Sequence, residues 1–545
     1  MATTKSVEKD VKKPTADDKI KKNTTVKSDK PTTCAKKPCA KKEASVVANT
    51  EEKVVAKTES KVVAKAENNT NAKTKVLFAT SEAAPFIRSG GLGDVAYALP
   101  KFLNKSGVDC RVILPMYYDI PASFRNTMQY VGSVYVTLAW RHQYCGVFMY
   151  KIDGTIYYFI DNEYYFKRNG LYGHYDDAER FAFFSKACLE VLNLINFYPN
   201  VIHCNDWHTA LIPVFLDCFY REVENYKFMK TIFTIHNIEF QGKYGKGLLQ
   251  DILGLPVAKA SLVEFGDCIN FMKGGIECCN LVTTVSETYA KEIEDSFYSY
   301  GLDSILKARE FKIKGVINGI DTNVFDPETD KALFKNYSAD KIAGKALNKE
   351  GLCKMVNLPY FADKPIISMV TRLTEQKGID LVMAVLEEIL SQDVQMVILG
   401  KGDWKYETAL KEMQNKYPNK LSVIINFSQD IASKIYAGSD IFLMPSKFEP
   451  CGLSQMIAMR YGSIPVVRET GGLKDSVAPF NPVTGEGLGF SFYSYNAYDM
   501  LDAIKRAVNC FTNKANWDKI IQNAMNFDFS WKNSANKYIE IYKNL

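Results

Sequence analysis

The amino-acid sequence predicts an α/β protein whose body consists of two domains, each with a parallel sheet covered by helices on both faces. Two observations support this prediction. Continuously apolar, β-rich runs alternate with amphipathic helical patterns, which is typical of parallel sheets that are buried on both faces. The body also spans about 470 residues, which is too long for one hydrophobic core and fits two large domains.

The predicted elements divide the chain into four segments. Residues 1–74 form an extension, 75–314 an amino-terminal domain, 315–528 a carboxyl-terminal domain, and 529–545 a final helix that crosses back to the amino-terminal domain. The predicted parallel strands of the first domain are 75–80, 111–115, 155–160, 201–204, 231–235 and 281–285. The pattern over 130–160 instead predicts antiparallel hairpins. Those of the second domain are 365–373, 394–400, 421–427, 440–445 and 464–467, separated by helices over 381–390, 406–417, 431–437, 453–461 and 473–477.

The extension differs in composition from the rest of the chain. It holds 18 Lys, no Arg and 10 Asp or Glu, a net charge of +8; the whole chain carries +6, which leaves −2 for residues 75–545. It has no Phe, Tyr, Trp or Leu, and an eight-residue repeat begins at Lys53 and again at Lys61. Such a segment cannot bury enough apolar area to offset its chain entropy, so we expect it to be disordered. A solvated extension without function is favoured over a basic arm that weakly binds an anionic partner.

Composition also bears on location and partners. No run of about 18 apolar residues occurs, so we expect no membrane span. The extension lacks the apolar region of a secretory signal, and its many acids and missing Arg make it a poor transit peptide for a plastid. Thirteen Cys at scattered spacings indicate reduced thiols and a cytoplasmic location. The basic charge belongs to the extension, so it gives no reason to expect nucleic-acid binding by the body.

Three glycine-rich turns follow predicted strands and precede predicted helices. Arg88 stands before Gly90 and Gly91 in the first domain, and the second domain holds the turns 447–453 and 470–473. Backbone N–H groups at a helix N-terminus can bind an anion, and glycine lets the backbone approach it closely. A tight turn without a ligand is the alternative for any one of them. Such loops in separate halves, with one acidic side chain in the second, suggest a nucleotide-sugar held between two domains.

Polar side chains also end two neighbouring strands of the first domain. His203, Asp206 and His208 belong to one strand end, and His236 and Asn237 to the next. Four residues between two His in a strand-to-loop segment is a weak spacing for metal ligands, so a metal site is disfavoured. The favoured interpretation is buried His that hydrogen-bonds to substrate hydroxyls or to the strand end.

Two basic residues and one acid follow strands of the second domain. The guanidinium of Arg372 and the ammonium of Lys377 suit a diphosphate leaving group, because they stabilise negative charge that develops as the bond to sugar breaks. A solvated basic turn is the alternative. Glu449 precedes a helix, where a carboxylate is favourable in any case, so its position alone does not distinguish a ligand-binding residue from a cap.

Together these motifs resemble the bacterial and plant glycogen and starch synthases that use ADP-glucose, over essentially all of residues 75–545. Arg88 replaces the Lys of the family's K-x-G-G-L signature, which keeps the charge but changes its reach. The matching motifs are Arg88-Ser-Gly-Gly-Leu92, Tyr175-Asp-Asp-Ala-Glu-Arg-Phe181, His203-Cys-Asn-Asp-Trp-His208, His236-Asn237, Asn318-Gly-Ile-Asp321, Arg372-Leu-Thr-Glu-Gln-Lys-Gly378, Pro445-Ser-Lys-Phe-Glu-Pro-Cys-Gly-Leu453, Thr470-Gly-Gly-Leu473 and Asp528-Phe-Ser-Trp531.

The resemblance implies two Rossmann-like domains of the GT-B type with a deep cleft between them and no metal or other cofactor. It implies transfer of glucose from ADP-glucose to the non-reducing end of an α-1,4-glucan with retention of configuration. The implied catalytic residues are Arg372, Lys377, Glu449 and His208. The implied nucleotide-sugar-binding residues are Arg88, Gly90, Gly91, Asn318, Phe427 (where many relatives have Tyr), Cys451, Gly452, Leu453, Thr470, Gly471 and Gly472. Asp94, Asp176 and Asn237 are implied near the acceptor.

Three alternative functions are compatible with a fold of this kind. A relative without transfer activity that only binds glucan or forms complexes would be expected to lose Arg372, Lys377 or Glu449, and all three are present. A glucan phosphorylase needs a cofactor-bearing Lys motif that the second domain lacks. A transferase that uses UDP-glucose stays open, because nucleobase selection depends on loop contacts. Ile457 occupies the position where other sugar transferases of this fold have a second acid, which disfavours those.

Overall fold

The computed structural model describes residues 73–545. The predictions of disorder and of a basic arm concern the extension, and residues 1–72 of it lie outside the described part of the chain. The strands of the amino-terminal part are β1 (Lys75–Ala79), β2 (Asp109–Pro115), β3 (Gln129–Leu138), β4 (Arg141–Ile152), β5 (Thr155–Asp161), β6 (Val201–Asn205), β7 (Lys230–Ile235), β8 (Lys243–Gly245), β9 (Glu264–Phe265), β10 (Cys268–Asn270), β11 (Leu281–Thr284) and β12 (Ile313–Gly315). Within the described chain, nine of them form one sheet in the order β12-β11-β7-β6-β1-β2-β5-β4-β3. The short strands β8, β10 and β9 form a second, antiparallel sheet.

The sequence pattern explains the two kinds of pairing in the large sheet. In β1 the four residues Val76–Ala79 are fully buried, and this strand pairs in parallel with both β2 and β6. Strands β3, β4 and β5 pair antiparallel, as the hairpin prediction for 130–160 requires. Burial on both faces therefore accompanies parallel pairing, and the exposed hairpins extend one edge of the sheet.

The carboxyl-terminal part forms a smaller parallel sheet. Its strands are β13 (Ile366–Val370), β14 (Gln395–Leu399), β15 (Leu421–Ile424), β16 (Ile441–Met444), β17 (Ile464–Arg468) and β18 (Phe490–Phe492). They lie in the order β15-β14-β13-β16-β17-β18, and each neighbouring pair is parallel. The α/β fold class, with one large sheet in each of two domains, is confirmed.

Helices cover both sheets. Those of the amino-terminal part are α1 (Gly91–Lys105), α2 (Ala122–Arg125), α3 (Glu163–Phe166), α4 (Asp177–Glu190), α5 (Leu211–Phe215), α6 (Phe271–Cys278), α7 (Glu287–Glu292) and α8 (Asp303–Lys307). Those of the carboxyl-terminal part are α9 (Gly344–Met355), α10 (Ile379–Ala384), α11 (Leu386–Ser391), α12 (Trp404–Lys416), α13 (Gln429–Gly438), α14 (Ser454–Arg460), α15 (Gly471–Ser476), α16 (Ala497–Thr512), α17 (Lys514–Asn526) and α18 (Trp531–Lys543). None of the helices in residues 73–545 combines the length and the apolarity that a membrane span requires.

The final helix α18 packs on the amino-terminal domain. Nζ of its Lys537 lies 3.0 Å from Oε1 of Glu287 in α7. Near its end, the Tyr542 hydroxyl is hydrogen-bonded to Nδ1 of His203 in β6 at 2.8 Å. The chain therefore returns to the first sheet after completing the second.

The sheet order places two crevices that are suited to ligands. In the first sheet β1 lies between β6 and β2, and in the second sheet β13 lies between β14 and β16. The chain connections on the two sides of β1, and likewise of β13, run in opposite directions and leave a crevice at the carboxyl ends of the strands. Ligands of open α/β sheets bind in such a crevice. The Arg88 turn follows β1, Lys377 follows β13, and Glu449 follows β16. The predicted site residues therefore lie at the crevices of both sheets.

Two features differ from the sequence prediction. The single helix predicted over 381–390 is two helices, α10 and α11, because the backbone of Val385 leaves the helical range at φ −132°. The short strands β8, β9, β10, β12 and β18 were not predicted. Runs of two or three residues are too short to display a period-2 pattern.

Candidate active site

Lys377 and Glu449 form an ion pair in the crevice of the second domain. Nζ of Lys377 lies 2.6 Å from Oε2 of Glu449, and both side chains are mostly buried. The Ser446 hydroxyl donates to the same carboxylate oxygen at 2.9 Å. A Cβ on Gly378, which has φ +74°, would lie only 2.2 Å from the carbonyl oxygen of Pro445. Glycine at this position therefore lets the loop after β13 contact the loop after β16, and this contact brings Lys377 to Glu449.

Arg372 follows β13 in the same loop as Lys377 and is exposed. Among the described residues its side-chain hydrogen-bond partner is Gln376, whose Oε1 accepts from Nη2 at 3.2 Å. A guanidinium has five N–H donors in a planar fork, so most of this donor capacity remains for an anionic ligand.

The glycine-rich turns of the two domains meet. A Cβ placed on Gly91 would lie 4.0 Å from Cδ1 of Leu453 in the second domain. The Ser286 hydroxyl of the first domain donates to the carbonyl oxygen of Pro450 at 2.8 Å. Within the second domain, the N–H of Gly472 donates to the carbonyl oxygen of Glu449 at 3.1 Å. All three predicted turns therefore border one crevice.

A buried carboxylate holds the turn of the first domain, and sequence analysis missed it. Glu82 accepts from the N–H of Ser89 at 2.6 Å, from the Ser89 hydroxyl at 2.7 Å and from the N–H of Gly93 at 3.1 Å. Burial raises the pKa of Glu82. The helix N-terminus that the sequence assigns to a bound anion thus already interacts with a protein carboxylate. The assignment of Gly90 and Gly91 to donor phosphates stays a prediction.

A second carboxylate, also missed, occupies the turn at 470–473. Glu292 of the first domain accepts from the N–H of Gly471 at 3.1 Å and from the Thr470 hydroxyl at 2.9 Å. Burial raises the pKa of Glu292 as well. For Gly471 to bind a donor phosphate, its N–H would have to exchange Glu292 for the ligand. A sequence gives no signal for this contact, because the two residues come from different domains.

Two residues that the resemblance assigns to the acceptor are paired with arginines. Asp94 lies 2.5 Å from Nη1 of Arg88, and both side chains are partly exposed. Asp176 accepts from Nη1 and Nη2 of Arg168 at 2.5 and 2.8 Å. The structure thus places Arg88, assigned to the donor, against Asp94, assigned to the acceptor.

The polar cluster at the ends of β6 and β7 is a hydrogen-bond network. Thr234 Oγ1 contacts Nε2 of His203 at 2.6 Å, so both ring nitrogens of this buried His have protein partners, and burial lowers its pKa to about 3. Asp206 accepts from the backbone N–H of His236 at 2.8 Å and from that of Asn237 at 3.4 Å, and burial raises its pKa to about 7. These contacts fix the two strand ends. No group of three or more His, Cys, Asp or Glu placed to hold a metal occurs within 73–545.

His208 is held among aromatic rings. Its ring centroid lies 4.1 Å from that of Trp207 and 4.5 Å from that of Tyr172. Burial lowers its pKa well below the usual range. Its Nδ1 is buried and has no hydrogen-bond partner among the described residues. A buried polar nitrogen without a partner is costly, yet no contact in the structure shows what it meets, so its role against glucose stays a prediction.

The remaining predicted residues lie around the crevice. Asn318 and Cys451 are both buried, and burial raises the pKa of the Cys451 thiol to about 12. Gly452 adopts φ +70°, which only glycine adopts readily, at the start of α14. Phe427, which follows β15, is 62% exposed and leaves its ring faces available for stacking.

Two parallel-sheet domains with glycine-rich turns and a basic–acidic cluster at one crevice define a glycosyltransferase of the GT-B class. Residues 75–308 match the starch synthase catalytic domain family, and residues 355–524 match the glycosyl transferases group 1 family. The chain belongs to the glycogen and starch synthase family.

Individual relatives agree with this membership. Glycogen synthase of Clostridium acetobutylicum is 53% identical over 475 residues, which cover 86% of this chain and 99% of that protein. Glycogen synthase of Geobacillus thermodenitrificans is 51% identical over 473 residues, with 86% and 98% covered. The solved catalytic domain of starch synthase IV from Arabidopsis thaliana, bound to ADP and acarbose, matches with a TM-score of 0.80 and 32% identity, over 87% of this chain and 99% of that chain.

Proposed function

We propose that this protein transfers glucose from ADP-glucose to the non-reducing end of an α-1,4-glucan, with retention of configuration, in glycogen or starch biosynthesis. The observation that carries the proposal is the Lys377–Glu449 ion pair, at the crevice that the glycine-rich turn of the first domain also borders. The glycogen synthases among its relatives and the ADP and acarbose in the Arabidopsis structure support it.

The chemistry follows from the charges in the crevice. Cleavage of the bond between C1 of glucose and the phosphate oxygen leaves negative charge on ADP and positive charge on the sugar. Arg372 and Lys377 stabilise the charge on ADP, and Glu449 orients the glucose by accepting its hydroxyls. The 4-hydroxyl of the acceptor attacks C1 from the face that ADP leaves, and its proton passes to the departing phosphate oxygen. Front-face attack is preferred because the motifs within residues 73–545 offer no second carboxylate that is obviously placed beneath C1 to act as a nucleophile.

We also propose that the reaction needs no metal or other cofactor. Arg372 and Lys377 supply positive charge where a divalent ion would otherwise be needed to neutralise a diphosphate. Excess chelator should leave the rate unchanged, and inhibition that a divalent ion reverses would contradict this. A cytoplasmic location is proposed as well, because the described cysteines, including the adjacent Cys278 and Cys279, are free thiols.

One assay tests the proposal and its main alternative. The purified chain is incubated with glycogen and either ADP-glucose or UDP-glucose, and release of the nucleoside diphosphate is measured with and without glycogen. We expect glycogen-dependent release that is faster with ADP-glucose. Equal or faster release from UDP-glucose would overturn the donor assignment, and no release from either would support the non-catalytic, glucan-binding alternative.

A further inference from the structure

A cavity of about 330 Å³ lies between the domains next to the predicted site residues. Its walls include Glu239, Tyr298 and Tyr300 of the first domain and Glu375, Lys447 and Phe448 of the second. We call it the aromatic cavity. Pockets of about 300–1,000 Å³ are typical of small-molecule sites. None of the roles assigned above uses it.

The loops that carry the predicted site residues also line this cavity. Phe448 directly precedes Glu449, and the lining residue Gln376 directly precedes Lys377. Glu239 donates its backbone N–H to the side chain of Asn237 at 3.0 Å. In each of these three loops, a predicted site residue therefore stands one or two positions from a residue that lines the aromatic cavity.

The lining combines aromatic rings with acidic groups. The rings of Tyr300 and Phe448, one from each domain, have centroids 6.2 Å apart and planes inclined at 71°. Tyr300 is 39% exposed. The C–H faces of a pyranose ring pack on aromatic rings, while its hydroxyls hydrogen-bond to carboxylates and amides at the edge. Glu239 and Gln376 provide such groups here.

The charges of the lining disfavour an anion. Lys447 is paired with Glu375, with Nζ 2.8 Å from Oε1. Glu239 adds a second carboxylate, so the three charged lining residues sum to one negative charge. These three residues therefore offer no net positive charge to a diphosphate or a sugar phosphate, and a neutral polyhydroxyl ligand needs none. The donor's phosphates are therefore not expected to bind here.

The backbone of Tyr300 is unusual for a ligand-free turn. Its φ is +51°, a left-handed conformation that large non-glycine residues rarely adopt. Its carbonyl oxygen accepts from the Gln241 amide at 3.3 Å and from Nζ of Lys243 at 3.4 Å. Residues held in such conformations cluster at ligand-binding sites. The ring that packs near Phe448 is therefore carried by a turn whose conformation is typical of such sites.

We propose that the aromatic cavity binds a glucosyl residue of the acceptor glucan, packed against Tyr300 and Phe448 and hydrogen-bonded by Glu239. The acceptor then reaches the Lys377–Glu449 pair from the side of this cavity rather than from Asp94 and Asp176. This inference rests on the proposed function, because it assumes that an α-glucan is the acceptor.

Two variants of the full chain test the proposal, Tyr300→Ala and the isosteric, exposed Glu239→Gln. The KM for a maltooligosaccharide acceptor, the KM for ADP-glucose and the Kd of the maltooligosaccharide by calorimetry are measured for each. We expect the acceptor KM and Kd to rise about tenfold for Tyr300→Ala and several-fold for Glu239→Gln. The KM for ADP-glucose should stay within about twofold. Tyr360→Ala, which removes a similarly exposed tyrosine ring outside the cavity, is the matched control and should change none of them.

The outcomes separate this inference from the proposed function. An acceptor KM and Kd that stay at the wild-type value in both variants would overturn the cavity assignment, as would an equal rise in the KM for ADP-glucose. Absence of transfer by the wild-type chain would contradict the proposed function instead. In that case calorimetry still decides on the cavity, since loss of maltooligosaccharide binding in Tyr300→Ala supports it and unchanged or undetectable binding in the wild type opposes it.

Discussion

Lys377 and Glu449 meet at 2.6 Å although 72 residues separate them in the chain. The first follows the central strand β13, and the second follows its neighbour β16. Their contact depends on Gly378, where any side chain would strike the carbonyl of Pro445. The carboxylate thereby fixes the ammonium group at the crevice, where a leaving diphosphate would meet it.

Replacing Lys377 with Ala should lower kcat by about two to four powers of ten, because a cation that stabilises developing charge is lost. The free energy of unfolding should fall by about 1–3 kcal/mol, since the buried Glu449 loses a charged partner. Lys416→Ala is the control, because it breaks an ion pair of similar length, 2.7 Å, on an exposed surface. That variant should keep its kcat and lose little stability, because exposed ion pairs contribute little to folding. A near-normal kcat in Lys377→Ala would show that this ammonium is not part of the machinery.

Replacing Glu82 with Gln should weaken donor binding through the glycine-rich turn. The carboxylate of Glu82 accepts from the backbone N–H groups of Ser89 and Gly93. The side-chain amide of Gln would place a donor against one of these donors, so the turn that carries Arg88 would shift. We expect the KM for ADP-glucose to rise about tenfold and stability to fall by about 1–3 kcal/mol. Glu163→Gln, at an exposed pair with Lys167, serves as the control. An unchanged KM in a destabilised Glu82→Gln protein would reduce Glu82 to a purely structural role.

Asp206 should make stability fall as the pH rises. Its pKa is raised to about 7 by burial, so the folded chain holds this proton more tightly than the unfolded chain does. Its stabilising contribution is therefore complete below pH of about 4 and is lost as the pH rises to about 7. The Asp206→Asn variant keeps an acceptor for the His236 N–H. Its free energy of unfolding in urea, relative to that of the wild type, should rise by up to about 4 kcal/mol across this pH range. The exposed Asp340→Asn should show no such trend, and a pH-independent difference for Asp206→Asn would contradict the assignment.

Removing residues 1–72 should leave kcat for transfer unchanged. That segment has no Phe, Tyr, Trp or Leu with which to pack on the body, and the elements described here begin at Lys75. Steady-state kinetics of the full and shortened chains at saturating substrate provide the comparison. A large loss of kcat without a change in thermal unfolding would assign the segment a part in the site.

The sequence predicted the strands well where apolar runs are continuous, as in β13, β14 and β16. It could not predict contacts that exist only after folding. Glu82 and Glu292 accept N–H groups of two glycine-rich turns, yet each looks like an ordinary acidic residue in the chain. His203 belongs to the polar cluster by sequence, but its ring is engaged by Thr234 and Tyr542, and Tyr542 arrives from the last helix. Tertiary neighbours, not local pattern, decide such roles.

Analysis of the reaction product tests the central claim most directly. A maltooligosaccharide of defined length is incubated with ADP-glucose and either the wild-type chain or Glu449→Gln, which keeps the shape of the side chain and removes its charge. Chain length is measured by mass spectrometry and the new linkage by proton NMR. The account predicts stepwise addition of single glucose units through α-1,4 bonds at the non-reducing end by the wild type, and a loss of at least about a hundredfold in rate for Glu449→Gln. A β-linked product, or elongation at the wild-type rate by Glu449→Gln, would contradict it.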